Sequence, residues 1–489
     1  MTTWLVTGAK RGTNMAQKVT EKKKLSWAMP NRRGRRKPSA KLVTPGLPKQ
    51  YRKKEPNKWI IHHLTATDLY KFSMGQLYFH RHRNVQARWE FKLRSNGVRL
   101  DYLHDAINRE LDHLCTLRFT DWELIGIGNV APWIDEDFLR ELKRFQLQRE
   151  YIHCEYDPED ECGLKIWAEG PQMDVYWFEI YVLQIVQHLY FDDLEIDWET
   201  SKRNLAEVIK KWKEASERGI KFTVSDFGIR RGVSDEWNEY MVSTLLKELP
   251  GVFVGTSNVY LAIKLGCKAI GTFAHELYAV YQGLDDVKLR KCQTQVFEDW
   301  MHEFGGDLGI ALSDNFGFNA FLEDFGAGVR RGKLYAKVFD GCRHDSGNPY
   351  TWGEMLIAHY KKLKIDPATK VGCWSDSLDV DKSIAIAEHF NLRIKIAFGI
   401  GTFLSASIVK FKDNAERKPL SMVMKVVKVK AHNDAPWVWV VKLSDSIGKT
   451  MCPDQEHVEM VKRTFNYRAI DQLPTGVKTR EFGATQTHS

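Results

Sequence analysis

A chain of 489 residues, 43% hydrophobic and 28% charged, is long enough for two or three domains with sizeable cores. No run of about 18 apolar residues offers a membrane span, and no charged–apolar–small opening marks a secretory signal. Its eight scattered cysteines lack CxxC pairing, which argues against a disulfide framework or structural zinc and fits a reducing cytosol. The net charge of +9 is concentrated at one end: residues 1–57 hold 16 Lys/Arg against 2 Asp/Glu, a local +14 that leaves the other 432 residues at −5.

That basic arm (1–57) has little hydrophobic periodicity and reads as disordered, since it cannot bury enough apolar surface to offset chain entropy. Its opening WLVTGAKRG lacks the glycine pattern of a dinucleotide-binding turn. A nucleic-acid- or membrane-surface-binding role is the sharper reading of the arm, and a solvated tail the plainer one. Ordered sequence starts near Trp59. The spacing of Leu69, Phe72, Gln76 and Phe79 predicts a helix over 68–80, with Thr67 or Asp68 as N-cap. A strand at 87–93, helical stretches to about 150, a strand at LKIWAEG and a long apolar helix, YWFEIYVLQIVQHLYF, follow.

Beyond residue 200, seven short apolar strands recur, each followed by a helical segment: 222–228, 251–257, 269–276, 309–315, 337–347, 370–377 and 394–402. Strands alternating with helices imply a parallel sheet, and seven units suit a closed or nearly closed α/β barrel. Residues 420–443 alternate like a β-hairpin that could pair with the N-terminal region. The domains expected are the arm (1–57), an N-terminal mixed domain (58–190, completed by about 420–489) and the barrel (191–419).

Barrel chemistry sits at the C-terminal strand ends. Here those ends carry Ser225–Asp226, His275–Glu276, Ser313–Asp314, Arg343 to Ser346 and Ser375–Asp376. Asp and Ser there can hold ribose hydroxyls and Mg²⁺, and Arg230, Arg231 and Arg343 can fork onto carboxylate or phosphate. Gly399 and Gly401 end the last strand, where backbone N–H groups can cradle phosphate. An anionic sugar phosphate is the ligand class this pattern suggests; the reaction type does not follow from it.

Nine segments in order across roughly residues 60–460 resemble the nicotinate phosphoribosyltransferases: TDLYK (67–71), SDFGIRRG (225–232), GTSNVYLA (255–262), GTFAHE (271–276), LSDNFGFNAFLEDF (312–325), RHDSGNP (343–349), WSDSLDVD (374–381), FGIGT (398–402) and KLSDSIGKTMC (442–452). The resemblance implies an irregular α/β barrel plus a mixed α+β domain built from both chain ends, and a homodimer with active sites at the subunit interface. It implies that Tyr70, reaching in from the neighbouring subunit, and Phe227 sandwich the pyridine ring. Arg230 would meet the nicotinate carboxylate, and Arg343 would lie near ring and ribose. Asp345 and Asp376 would accept ribose hydroxyls on the Mg²⁺ side, with Asp314 supporting them, and Gly399 and Gly401 would take the 5′-phosphate. Ser257 stands where the related nicotinamide enzymes have Asp, which favours the acid over the amide.

His275 matches the histidine that the family phosphorylates with ATP, and Glu276 is a candidate to orient it. The implied reaction joins nicotinate to phosphoribosyl pyrophosphate, with coupled ATP hydrolysis, in NAD salvage. Asn348 and Asn315–Phe316–Gly317 depart from the common family pattern, and the arm has no counterpart in it. A nicotinamide phosphoribosyltransferase, or a nucleic-acid-binding protein acting through residues 1–57, are the alternatives.

Overall fold

The computed structural model describes residues 59–327, 334–446, 450 and 452–470. The basic arm therefore lies outside the described residues. Seven of the strands form the parallel sheet: β4 (Thr223–Asp226), β5 (Phe253–Thr256), β6 (Lys268–Ala269), β7 (Ile310–Leu312), β8 (Gly341–His344), β9 (Val371–Trp374) and β10 (Lys395–Ile400). Their order is β6-β5-β4-β10-β9-β8-β7. This is chain order around a ring, with β10 beside β4 and one break between β6 and β7. The result is a curled half-barrel, the irregular barrel the sequence implies.

All seven expected units overlap a strand, but the run at 269–276 shares only Ala269 with the two-residue β6. Gly271 has φ 153°, and the chain leaves the ladder there so that His275 can begin a helix. At the break, the Thr272 hydroxyl donates to the Ile310 carbonyl over 2.8 Å. A side chain thus bridges the two edges where no ladder does.

A second, antiparallel sheet has the order β12-β11-β1-β3-β2. Its N-terminal strands are β1 (Gln86–Leu93), β2 (Ile152–Tyr156) and β3 (Leu164–Pro171); its C-terminal strands are β11 (Met422–Lys430) and β12 (Val438–Trp439). The hairpin expected at 420–443 is β11–β12, and β11 pairs with β1 along eight residues from Gln86↔Lys430 to Leu93↔Met422. Both chain ends therefore build one sheet. Sequence periodicity did not single out β2, whose second half is exposed.

Two helices carry this sheet onto the barrel. α1 (Leu69–Arg81) buries ten of its thirteen residues, among them Lys71, Ser73 and Gln76. α2 (Phe178–Phe191) is apolar almost all round, as a helix sunk in the core must be. Asp68 is the N-cap of α1, yet its side chain does not cap the helix. Instead the chain is stitched to the barrel, with Leu69 N donating to Ser257 O over 2.8 Å and Val259 N to Thr67 O over 3.0 Å. α3 (Val259–Leu265) and α4 (His275–Gln282) follow β5 and β6.

Candidate active site

A cavity of about 400 Å³ opens at the C-terminal ends of the barrel strands, beneath β11. Of the eleven residues singled out from the sequence, nine line it: Tyr70, Phe227, Arg230, His275, Arg343, Asp345, Asp376, Gly399 and Gly401. Asp314 lies behind His275 and Ser257 lies behind the start of α1; both are buried. Within this single chain Tyr70 lines the cavity, and the stitch between residues 67–69 and 257–259 holds the start of α1 against the barrel.

Phe227 is presented by a turn that Asp226 ties down. Thr256 Oγ1 donates to one Asp226 oxygen over 2.7 Å and Gly228 N to the other over 2.8 Å. Burial pushes the Asp226 carboxyl up to about 6. Gly399 is what lets the Phe227 ring lie against β10, since a Cβ there would fall 2.2 Å from Phe227 Cε2. Its established place in this geometry is thus beneath the ring. Gly401, Thr402 and Phe403 also line the cavity, at the start of a short helix whose first N–H groups have no partner within the helix itself.

His275 is the first residue of α4. Its Nε2 lies 2.7 Å from Asp314 Oδ1 and 3.7 Å from Asp345 Oδ2. Ser346 Oγ donates to the second Asp314 oxygen over 2.6 Å, and Lys442 Nζ lies 2.8 Å from the same oxygen. Burial, with Lys442 next, lowers the imidazole to about 4 despite the two carboxylates, so the ring is neutral at neutral pH. With Nε2 as the donor to Asp314, Nδ1 carries the free electron pair. Burial would raise Asp314, but Lys442 and His275 outweigh it and hold the carboxyl well below its usual range. Asp345, where Arg343 and Lys442 likewise outweigh burial, is lowered too. Ser375 Oγ donates to Asp345 Oδ1 over 3.0 Å, and Arg343 stands 3.8 Å from that oxygen.

Glu276 does not orient His275. Its carboxylate pairs with Lys71 Nζ, and Tyr78 OH donates to it over 3.4 Å. Burial pushes Glu276 up to about 7. Lys71 also reaches Glu179 Oε2 at 2.8 Å. Arg231 donates to the carbonyls of Leu420 and Met422 over 2.8 and 3.1 Å, so it fastens the barrel to the start of β11.

Among the charged and amide lining residues, four were given no role in the sequence reading: Arg94, Lys425, Lys442, which only opens a quoted segment, and Asn315, noted only as a departure. Among the described residues, neither polar side-chain atom of the buried Asn315 has a hydrogen-bond partner. A lysine in an alternating strand, as in MVMKVVKVK, was the available signal for Lys425. Chemically, the cavity joins a cationic wall of Arg230, Lys425 and Lys442 to a carboxylate pair, Asp345 and Asp376, and to a neutral, oriented imidazole.

Comparison with known proteins agrees in scale with these features. The nicotinate phosphoribosyltransferase (NAPRTase) family pattern matches residues 222–469, and the pattern of that family's N-terminal domain matches residues 65–187. The chain is 41% identical over 415 residues to a nicotinate phosphoribosyltransferase of Neisseria meningitidis, covering 83% of this chain and 98% of that protein. It is 39% identical over 422 residues to one from Acinetobacter baumannii, covering 84% and 99%. Among solved structures, a nicotinate phosphoribosyltransferase from Vibrio cholerae superposes with a TM-score of 0.77 at 33% identity, covering 84% of this chain and 95% of that one. One from Porphyromonas gingivalis gives 0.75 at 28% identity, covering 83% and 100%.

Proposed function

The chain belongs to the nicotinate phosphoribosyltransferase family, and from that premise we propose that it makes nicotinate mononucleotide and pyrophosphate from nicotinate and phosphoribosyl pyrophosphate, driven by ATP, as a salvage step toward NAD. The observation that carries this reading is the meeting, at one cavity, of the cationic wall with a neutral His275 held by Asp314.

In this reading the pyridine ring lies between Tyr70 and Phe227, flat faces to a flat heterocycle. Its carboxylate turns to the Arg230 fork. Asp345 and Asp376 accept the ribose hydroxyls, Arg343 lies beside the ribose, and the backbone at Gly399–Thr402 takes the 5′-phosphate. The pyridine nitrogen then displaces pyrophosphate at the anomeric carbon, with the chain positioning partners and stabilising charge. Asp345 and Asp376 offer the hard carboxylate oxygens that suit Mg²⁺, which would arrive with the pyrophosphate and offset its charge.

His275 Nδ1 attacks the terminal phosphorus of ATP, forming the N–P bond as the P–O bond to ADP breaks. Asp314 steadies the imidazole through Nε2. Later hydrolysis of the phosphohistidine drives the equilibrium toward product. The same proposal includes a homodimer with active sites at the subunit interface.

The test is a product assay with Mg²⁺ and phosphoribosyl pyrophosphate, offering nicotinate or nicotinamide, with and without ATP. Nicotinate mononucleotide, raised by ATP, is the expected result. Absence of that product, or turnover of nicotinamide alone, would overturn the reading.

A further inference from the structure

Glu179 is a carboxylate that neither lines the cavity nor belongs to any of the sequence motifs, yet it faces the cavity's cationic wall from behind. It sits in the second position of α2, with its side chain 1% exposed. Its two oxygens divide their partners. Oε1 receives Lys425 Nζ at 2.8 Å and lies 3.6 Å from the Arg230 guanidinium. Oε2 receives Lys71 Nζ at 2.8 Å and the Tyr70 hydroxyl at 3.3 Å. Three of these four partners, Tyr70, Arg230 and Lys425, line the cavity.

Packing alone does not call for such an arrangement. A buried ionic cluster is commonly no more stable than an apolar one of the same volume. What it can supply is placement: long, flexible Arg and Lys side chains lose their freedom before a ligand arrives. Arg230 keeps one edge toward Glu179 while 33% of its side chain stays exposed, which leaves donors for an incoming anion. Glu179 also offsets part of the charge of three neighbouring cations, which would otherwise repel one another. The cluster still holds a surplus of positive charge, and that surplus suits a carboxylate better than an amide.

We propose that Glu179 is a positioning residue for recognition of the aromatic acid: from behind the wall it holds Arg230, Lys425 and the Tyr70 phenol in the arrangement that receives the ring and its carboxylate. This inference rests on the nicotinate reading above, and it assigns to α2 a share in substrate choice. Glu179 itself touches no reacting atom.

Full-length Glu179→Gln tests it, because the amide keeps the shape and removes the charge. Nicotinate binding is measured by calorimetry and turnover by KM and kcat for each substrate. The nicotinate KM should rise roughly tenfold, while kcat and the KM for phosphoribosyl pyrophosphate stay within about twofold. Glu179→Asp, which keeps the charge on a shorter stem, should recover part of that loss; it also carries the test should the Gln variant fail to fold. An unchanged nicotinate KM in the variants overturns the inference while the nicotinate reading stands. Equal rises in both KM values, with a lowered melting temperature, also overturn it, by showing a merely structural carboxylate. Wild-type protein that neither binds nor converts nicotinate overturns both.

Discussion

Two buried charge clusters flank the cavity, and they are built on opposite principles. The first gathers Asp314, Asp345 and Lys442 around the His275 imidazole. Asp314 is within hydrogen-bond distance of both His275 and Lys442, Asp345 stands 3.7 and 3.8 Å from them, and the two carboxylates follow barrel strands. The second joins Lys71 of α1, Glu179 of α2, Glu276 of α4 and Lys425 of β11 to Arg230. In it, cations converge on acids from elements separated by hundreds of residues. The first cluster is arranged to keep a base neutral and aimed. The second is arranged to keep cations in place. On the proposed function, reactive groups are thus concentrated in the barrel, and the groups that hold the substrate are shared with the second sheet.

Breaking each cluster at its centre should show the difference most sharply. On the proposed mechanism His275→Ala removes the nucleophile, so ATP-dependent labelling of the chain should vanish and the ATP-stimulated part of turnover should fall by at least ~10³-fold. The melting temperature should change little by comparison. Retained labelling would move the phosphoryl acceptor elsewhere. Lys71→Met acts in the opposite sense: it leaves Glu276 without its cation in the core beside Glu179, where neither acid is more than 2% exposed and only Glu179 keeps Lys425 and Arg230. Removing one partner from a buried ion pair costs about 3–5 kcal/mol, so the loss should appear in the urea midpoint. An unchanged midpoint would mean that the second cluster is not held by Lys71.

The same contrast explains what could be read from the sequence. Strand-end residues such as Arg343, Asp345 and Asp376 were legible because a short apolar strand, followed by polar residues and a helix, fixes where its tip points. Asp314 was legible by place, although its contact with His275 was not. Glu276, a candidate to orient His275 by adjacency alone, does not do so, because adjacency in sequence says nothing about facing on a helix start; its side chain turns to α1 instead. Glu179 and Lys71 left one faint trace each, an acid and a base inside otherwise apolar helical runs. Their pairing depends on tertiary approach over 108 positions, for which period and motif give no register. Tyr70 shows the same limit: its motif was visible, but the stitch of its helix start to Ser257 and Val259 was not.

The smallest expected effect separates the clusters by the sign of their response to pH. His275 titrates near 4 in the folded chain against an ordinary value of 6.5, so between those pH values the unfolded state binds more protons. Its contribution to stability is complete above about pH 6.5 and is lost as pH falls toward 4. Glu276 titrates near 7 against an ordinary 4.5, so between those values the folded state binds more protons. Its contribution therefore grows as pH falls from 7 to 4.5. Each displacement corresponds to about 3 kcal/mol at most, and over pH 4.5–6.5 the two slopes oppose one another. Wild-type stability should be nearly flat across that window with respect to this pair. Glu276→Gln removes the compensating slope, so the variant should weaken on acidification from pH 6.5. His275→Asn should instead gain stability, relative to its own value at pH 6.5, as pH falls. Urea midpoints at pH 6.5, 5.5 and 4.5 for the three proteins read this directly. Parallel curves for both variants would show that the clusters do not titrate independently, and would join into one network what the geometry divides into two.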